Sequence, residues 1–362
     1  MKNRLNKTAL NGEQTLCIDA GFTHTRLAIW TGTELVGYSR TRSPQKCDLE
    51  TVEPTAEQRR AAWLQNLACL VSEMRSTYPR VTRIGLCFPG VVRRDGVILK
   101  SNSIWGGSGR EHLYPRELVE LLGLPVFVFN DVAAAAMRYG YDSRYQACES
   151  VLVVSIGSGI GAKIFNRRCG GIILGAQGRN GEIALMVVDS SPQALTNDNG
   201  RLKGVLGNYS SGVGFARMLR NKASDRSFAD SSLCRLVSEA GADIATMDRH
   251  ALNRLAIQAL QEGDVHTLSV LNESIGYLAK ALHAVVLYEA PDTIVLTGGF
   301  VHSIGTLYRE LMVTELSKRF TYLYDSEELA TMISTGVDDD LDNLIGCGIW
   351  TEQLSACVES RS

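Results

Sequence analysis

Three glycine turns and one Asn-Asp pair hold the residues of this chain that could do chemistry. Asp19-Ala20-Gly21-Phe22-Thr23 closes one apolar stretch and opens another. Glycine lets the backbone approach a ligand, and exposed amides beside a threonine hydroxyl can hold phosphate oxygens. An aspartate there can bind Mg2+, directly or through water. Gly157-Ser158-Gly159-Ile160-Gly161 is a second turn after an apolar strand. It lacks the lysine of a Walker loop and the helix that follows a Walker or Rossmann loop, so it is neither. Gly298-Gly299 follows TIVLT and would let a flat nucleotide base lie against the backbone. Asn130-Asp131 stands where an apolar strand meets an Ala-rich helix. A helix N-terminus keeps a carboxylate ionised, which suits Asp131 to take a proton from a substrate hydroxyl while Asn130 grips a neighbouring one. Taken singly, each has a plainer reading: a hairpin tip, a tight turn, an N-cap.

Other chemistries find less support. The six histidines form no nucleophile-and-base pattern, and neither GxSxG nor HExxH occurs. The nine cysteines include no CxxC or CxH pair, so zinc-ligand spacing is absent. Most lie among apolar neighbours, where a thiol acts as a small hydrophobe, and a reduced, cytoplasmic protein is expected. The net charge of −2, from 37 basic and 39 acidic residues, predicts no general affinity for nucleic acid or an anionic membrane. No apolar run reaches the ~20 residues that span a bilayer. The basic start, MKNRLNKTALNGEQT, is not followed by the apolar run of a secretory signal.

The elements that must carry these residues follow from apolar periodicity. The 362 residues suggest about two domains, and 45% apolar residues allow an ample core. Thr15 to Trp30 reads as strand, glycine turn, strand, with a third strand in ELVGYSRTR. Residues 54–78 read as a helix with Trp63, Leu67, Leu70, Val71 and Met74 on one face, stopped by Pro79. RIGLCFPG and LPVFVFND are continuous apolar strands, the mark of a sheet covered on both faces in an α/β fold. Near residue 150 the pattern restarts: VLVVSIGSGIGAKIF is again strand, glycine turn, strand, with Gly157 standing 136 residues after Gly21. A duplicated core is therefore expected. A long helix carries Ile275, Leu278, Ala279, Leu282 and Val286, and a last helix carries Leu344 and Ile345.

Taken in order, DAGFT, FPGVV, GVILKSNSIW, LPVFVFNDVAAAA, SIGSGIG, GRNGEIALMVVD and PDTIVLTGG resemble the ROK family of sugar kinases and regulators. The resemblance runs from about Thr15 to Trp350. It implies an actin-like, hexokinase-like ATPase fold of two α/β domains, with ATP and sugar bound in an interdomain cleft. The N-terminal domain is expected over 1–139, the C-terminal domain over 140–342, and a C-terminal helix over 343–362 returning to the first domain. Asp19, Gly21 and Thr23 match the family's first phosphate loop, and Asp19 its Mg2+ tie, through water. Gly157, Ser158, Gly159 and Gly161 match the second loop. Gly298 and Gly299 match the adenosine motif. Asn130 and Asp131 match the sugar-binding asparagine and the catalytic base, Gly90 and Asn102 match sugar-side loops, and Glu182 matches the glutamate of GEIGH. The resemblance also implies a homodimer, to which nothing in the composition points.

The departures bear on substrate. Leu185 replaces the histidine of GEIGH, and TNDNGRLKGVLGNYSSG replaces the family's CxCGxxGCxE segment, so a structural zinc is not expected. The glutamate of that segment falls on Gly207, beside Asn208. In the family, that histidine and glutamate grip hydroxyls around the anomeric carbon, so half of the clamp is missing. In the first loop Phe22 and His24 replace a glycine and a lysine. The expected activity is transfer of the ATP γ-phosphate to a primary hydroxyl of a sugar-like polyol. With its clamp so altered, the chain resembles the C7-cyclitol kinases of aminocyclitol biosynthesis, which act on an exocyclic 7-hydroxyl. Three other readings stay open at this stage. One is a hexose or amino-sugar kinase whose clamp Asn208 and Tyr209 rebuild. Another is a polyol-binding pseudokinase without turnover. The third is a sugar-sensing regulator, for which the eighteen residues ahead of Asp19 are too few for the helix-turn-helix domain that such repressors carry.

Overall fold

The computed structural model describes residues 12–21, 23–43, 55–101, 104, 112–197, 200–225, 228–320 and 322–359. The chain divides into two compact units. Unit 1 takes Met1–Gln146, Lys163–Asn180 and Leu341–Ser362; unit 2 takes Ala147–Ala162 and Gly181–Asp340.

Unit 1 is built on a sheet of β1 (Gln14–Ala20), β2 (His24–Trp30), β3 (Leu35–Arg42), β4 (Val81–Phe88) and β7 (Val126–Asn130), in the order β3-β2-β1-β4-β7. A short hairpin of β5 (Val91–Val92) and β6 (Ile98–Lys100) follows β4. β1 pairs antiparallel with β2 and parallel with β4, which pairs parallel with β7. Alternate residues of a strand face opposite ways, so the continuous apolar runs need cover on both sides. On one side Leu16, Ile18 and Leu86 pack with Trp63, Leu67 and Val71 of α1 (Ala56–Thr77). A capping box between Thr55 and Gln58 starts α1, and the helix stops at Tyr78, ahead of Pro79.

The other side is covered from the far end of the chain. Cys17, Ala28, Trp30, Cys87 and Phe129 pack with Leu344 and Cys347 of α11 (Asp342–Glu359). β7 is preceded by α2 (Pro115–Leu122) and followed by α3 (Asp131–Tyr141), which packs against α11. Trp350 stacks on Phe129 with ring centroids 4.4 Å apart, and the Trp30 indole donates to Glu352 at 3.0 Å. Asp342 accepts from Arg138 at 2.8 Å and from the Tyr139 hydroxyl at 2.7 Å.

Unit 2 starts with β8 (Ser150–Ile156). Along β9 (Ile160–Asn166) the chain passes into unit 1, where β10 (Gly171–Ile172) lies. It later adds α4 (Gly212–Lys222), α5 (Ser232–Glu239), α6 (Arg249–Gln261) and α7 (Val265–Glu289). Then come β11 (Thr293–Thr297), α8 (Gly299–Ile304), α9 (Thr306–Ser317), α10 (Ser326–Met332) and β12 (Ile333–Thr335). The second sheet has the order β10-β9-β8-β11-β12, with β8, β11 and β12 parallel. In each sheet the strand that comes first in sequence stands third, and β8 and β9 occupy the positions of β1 and β2 shifted by 136 residues. The duplicated α/β core expected from the sequence is thus present. Among the described residues no helix is long and apolar enough to cross a membrane.

The approach of α11 to α3 depends on Gly346, where an added Cβ would lie 1.7 Å from the Ala134 carbonyl oxygen. Backbone cannot yield as a flexible side chain can. Gly346→Ala is expected to destabilise the fold by about 1–3 kcal/mol, the usual cost of overpacking. Chemical denaturation reads it as a lower midpoint; an unchanged midpoint would mean that the two helices are free to part.

Candidate active site

In unit 1 the predicted residues gather at the carboxyl ends of neighbouring parallel strands, where open α/β sheets bind their ligands. Asp19 is the penultimate residue of β1 and pairs in register with Cys87 of β4; Phe88 pairs with Asn130, the last residue of β7. Asp19 is 4% exposed, and its Oδ2 accepts from Arg26 Nη1 at 3.0 Å. Arg26 stands directly opposite Asp19 across the β1–β2 pair. Sequence reasoning passed over this partner, although the cross-strand position carried the signal.

The turn after β1 is tight. A Cβ on Gly21 would meet the His24 carbonyl oxygen at 2.5 Å, so no larger residue fits. Ser43, which the sequence reading did not single out, braces the turn: its hydroxyl donates to Gly21 O at 2.7 Å and its amide to Thr23 O at 3.1 Å. Thr23 itself is exposed.

Asn130 is the N-cap of α3, its Oδ1 accepting from the Ala133 amide at 3.0 Å. Its Nδ2 donates to Gly90 O and to Asp131 Oδ1, each at 3.0 Å. One carboxamide therefore joins the strand end, the helix start and the Pro89-Gly90 loop. Asp131 is the first residue of α3 and half-buried, and its Oδ1 also accepts from the Val132 amide at 2.9 Å. Asn102 and Phe22 lie outside the described residues.

In unit 2 the second and third glycine sites meet at the ends of β8 and β11. Gly157 follows β8, Ser158 and Gly159 are exposed, and Gly161 lies at the start of β9. The Gly157 amide donates to Gly159 O at 2.9 Å, and Gly157 O accepts from the Gly212 amide, at the start of α4, at 2.8 Å. A Cβ on Gly157 or Gly159 would meet nothing within 4 Å. Packing therefore leaves these two glycines open space, room in which a ligand could approach the backbone. Gly298 differs. Its φ is +99°, and a Cβ there would meet Ile156 O at 2.5 Å, so glycine is required on both counts. Gly299 has open space beside it and begins α8.

The altered clamp also lies in unit 2. Glu182 is exposed just ahead of a 3-10 turn, Ile183–Leu185, and Leu185 is 54% exposed. Gly207 belongs to a second 3-10 turn, Leu206–Asn208, which packs on the first: a Cβ on Gly207 would stand 3.4 Å from Ala184 O. The positions of the two missing polar groups are thus neighbours. Asn208 requires a correction. Expected to bind substrate, it is 3% exposed, and its Nδ2 donates to Leu195 O and Leu202 O, each at 2.9 Å. One amide proton is spent within the segment where the family's cysteines would stand, the other on the residue just ahead of it. The Tyr209 hydroxyl is likewise committed, to Asp189 and the Leu195 amide. Both side chains thus make their hydrogen bonds within the fold. Among the described residues no group of three or more His, Cys, Asp or Glu side chains is arranged to hold a metal ion.

Residues 15–353 match the model of the ROK family. The chain belongs to that family. A C(7)-cyclitol 7-kinase from Streptomyces hygroscopicus subsp. limoneus is 30% identical over 265 residues, covering 73% of this chain and 72% of that protein. A 2-epi-5-epi-valiolone 7-kinase from an Actinoplanes species is 26% identical over 345 residues, 91% of this chain and 90% of that one. Among solved structures, a ROK family glucokinase from Streptomyces griseus in complex with glucose and AMPPNP has a TM-score of 0.70 at 18% identity, covering 94% of this chain and 99% of that one. That likeness bears on the fold, which is the hexokinase-like ATPase fold.

Asn130→Ala removes the cap and leaves the Gly90 carbonyl without its donor. Loss of an N-cap side chain costs about 0.5–2 kcal/mol. The variant is expected to lose stability in that range by chemical denaturation; wild-type stability would mean that solvent replaces all three bonds.

Proposed function

We propose that this chain is an ATP-dependent kinase that phosphorylates the exocyclic 7-hydroxyl of a C7-cyclitol of the valiolone type. The reading rests above all on Asn130 and Asp131, a capped carboxylate at a strand end where a substrate hydroxyl can be deprotonated. Names of relatives support it: two that align over most of this chain are a C(7)-cyclitol 7-kinase and a 2-epi-5-epi-valiolone 7-kinase.

Phosphoryl transfer asks a protein mainly for positioning and charge neutralisation. The acceptor oxygen attacks the γ-phosphorus of ATP in line, and its proton passes to a carboxylate oxygen of Asp131. The bond from γ-phosphorus to the β,γ-bridging oxygen breaks, and ADP departs with that electron pair. Asn130, whose amide protons hold Gly90 O and Asp131, keeps a second lone pair on Oδ1 that can accept from a hydroxyl next to the reacting one. The exposed Thr23 hydroxyl and the Gly157–Gly161 turn suit phosphate oxygens, and the open space at Gly157 and Gly159 lets them approach the backbone. Gly298 and Gly299 suit the adenosine. Mg2+, when bound, neutralises phosphate charge, and Asp19 would hold it. A carboxylate already paired with Arg26 suits the outer sphere of a hydrated ion.

The clamp supports a cyclitol acceptor. Leu185 and Gly207, in adjoining turns, offer no hydrogen bond to an anomeric hydroxyl. A site built to bond a hydroxyl rejects analogues that lack it, and removal of those groups relaxes the demand. A carbocycle has no anomeric centre. With Asn208 and Tyr209 turned to the loop, the counter-reading of a rebuilt hexose clamp loses the side chains it needs.

ADP release measured with a valiolone-type cyclitol, glucose, N-acetylmannosamine and an amino-hexose tests the reading. The cyclitol is expected to show the highest kcat/KM. A preference for glucose of ~100-fold, on the scale that pocket hydrogen bonds produce, would overturn the acceptor and leave the kinase. No ADP release with any acceptor would overturn the kinase and favour a sugar-sensing regulator. Asp131→Asn is expected to keep acceptor binding and lower kcat by at least ~10²-fold, the low end for general-base catalysis. A near-normal kcat would reduce Asp131 to a helix-start residue.

A further inference from the structure

One phenol ties the segment that replaces the family's cysteine-rich stretch to the residues ahead of it. The Tyr209 hydroxyl donates to Asp189 Oδ2 and accepts from the Leu195 amide, each at 2.7 Å. Asp189 Oδ1 accepts in turn from the Ser191 amide at 2.9 Å. Residues 186–189 run alongside 204–206: Leu206 N donates to Met186 O at 2.9 Å, Val188 N to Gly204 O at 2.9 Å, and Val187 bridges Val205. This short ladder begins at the residue after Leu185 and ends at the residue before Gly207. Tyr209 crosses it from beyond one end to Asp189 at the other.

The phenol is itself held from behind. The Tyr209 carbonyl accepts from the Ser274 hydroxyl at 3.0 Å, and its ring lies against that of Tyr277 with centroids 4.0 Å apart. Both partners belong to α7. Tyr209 is 3% exposed, and burial together with Asp189 pushes its ionisation well above the ordinary phenol range, so it stays a donor. The bond from Tyr209 keeps Asp189 below the usual carboxylate range, so it stays the charged acceptor. A bond of this kind is among the stronger ones a protein makes.

We infer that Tyr209, through Asp189, is a positioning residue for the acceptor, fixing by hydrogen bonds the two turns at Glu182–Leu185 and Gly207. This inference rests on the proposed kinase reading and adds to it the device that sets the acceptor side of the site. Tyr209 touches neither reacting atoms nor, on this reading, the substrate.

Steady-state kinetics of Tyr209→Phe in the full chain tests it, with the cyclitol and ATP varied separately. Phenylalanine keeps the ring on Tyr277 and removes only the hydroxyl. KM for the acceptor is expected to rise about tenfold or more, the scale of one hydrogen bond to a charged group, while KM for ATP stays within about twofold. Asp189→Asn, which weakens the same bond from its other side, is expected to shift acceptor KM in the same direction and serves should Tyr209→Phe fail to fold. Amide hydrogen exchange over 183–189 is expected to quicken in both variants. Equal rises in both KM values, or a lower unfolding midpoint with acceptor KM unchanged, would overturn the inference and leave the kinase standing. A wild-type chain inactive on every acceptor would overturn the kinase reading itself, and this inference with it.

Discussion

The Asn130 carboxamide is the bond on which the candidate active site depends. Its oxygen caps α3, and its nitrogen holds both the Gly90 carbonyl and the Asp131 carboxylate. β7 must end and α3 must begin at that one residue, because the cap has extended backbone while the next residue is helical. The position of Asp131 is therefore not an independent feature of the chain. It follows from where the helix can start, and the same side chain that settles the start also anchors the loop after β4.

Duplication gives the two units one sheet topology and different work. In unit 1 the first glycine turn is closed by sterics at Gly21 and braced by Ser43, and it stands beside a carboxylate balanced by arginine. In unit 2 the equivalent turn is open at Gly157 and Gly159 and is tethered where Gly157 O meets the start of α4. The steric demand there has moved to Gly298, which crosses the end of β8. Glycine thus serves two purposes in this protein: some are needed because the chain itself comes too near, others because nothing of the chain does.

Much of this was legible in the sequence, and the parts that were not share a cause. The strand-turn-strand units, the helix ended ahead of Pro79, the second core 136 residues after the first and the Asn-Asp junction are local patterns, set by periodicity and by a few special residues. The missed parts are pairings. Arg26 opposite Asp19 needed a hairpin register; Ser43 reaches Gly21 from just beyond the end of β3, a contact that depends on how β3 lies beside β2. Asn208 misled for a related reason. Its place beside Gly207 suggested a shared role, but a 3-10 turn sends successive side chains to different sides, and this one went to the loop carbonyls of Leu195 and Leu202. A polar residue next to a site in sequence can be the scaffold of that site, as Asn208 is for the loop beside it.

The cover that α11 lays over the first sheet has a consequence for how the protein is made. Trp30 and Glu352, bonded in the folded chain, are 322 residues apart. On a ribosome releasing roughly 5–20 residues per second, that interval separates the appearance of β1 and β2 from that of the helix that shields them. Until then the face formed by Cys17, Ala28, Trp30, Cys87 and Phe129 stays open to water or to a chaperone. Unit 2, contained within the span between, has its whole chain available sooner. Vectorial synthesis thus favours the later half as the first to close, with the half that emerges first waiting for its last helix.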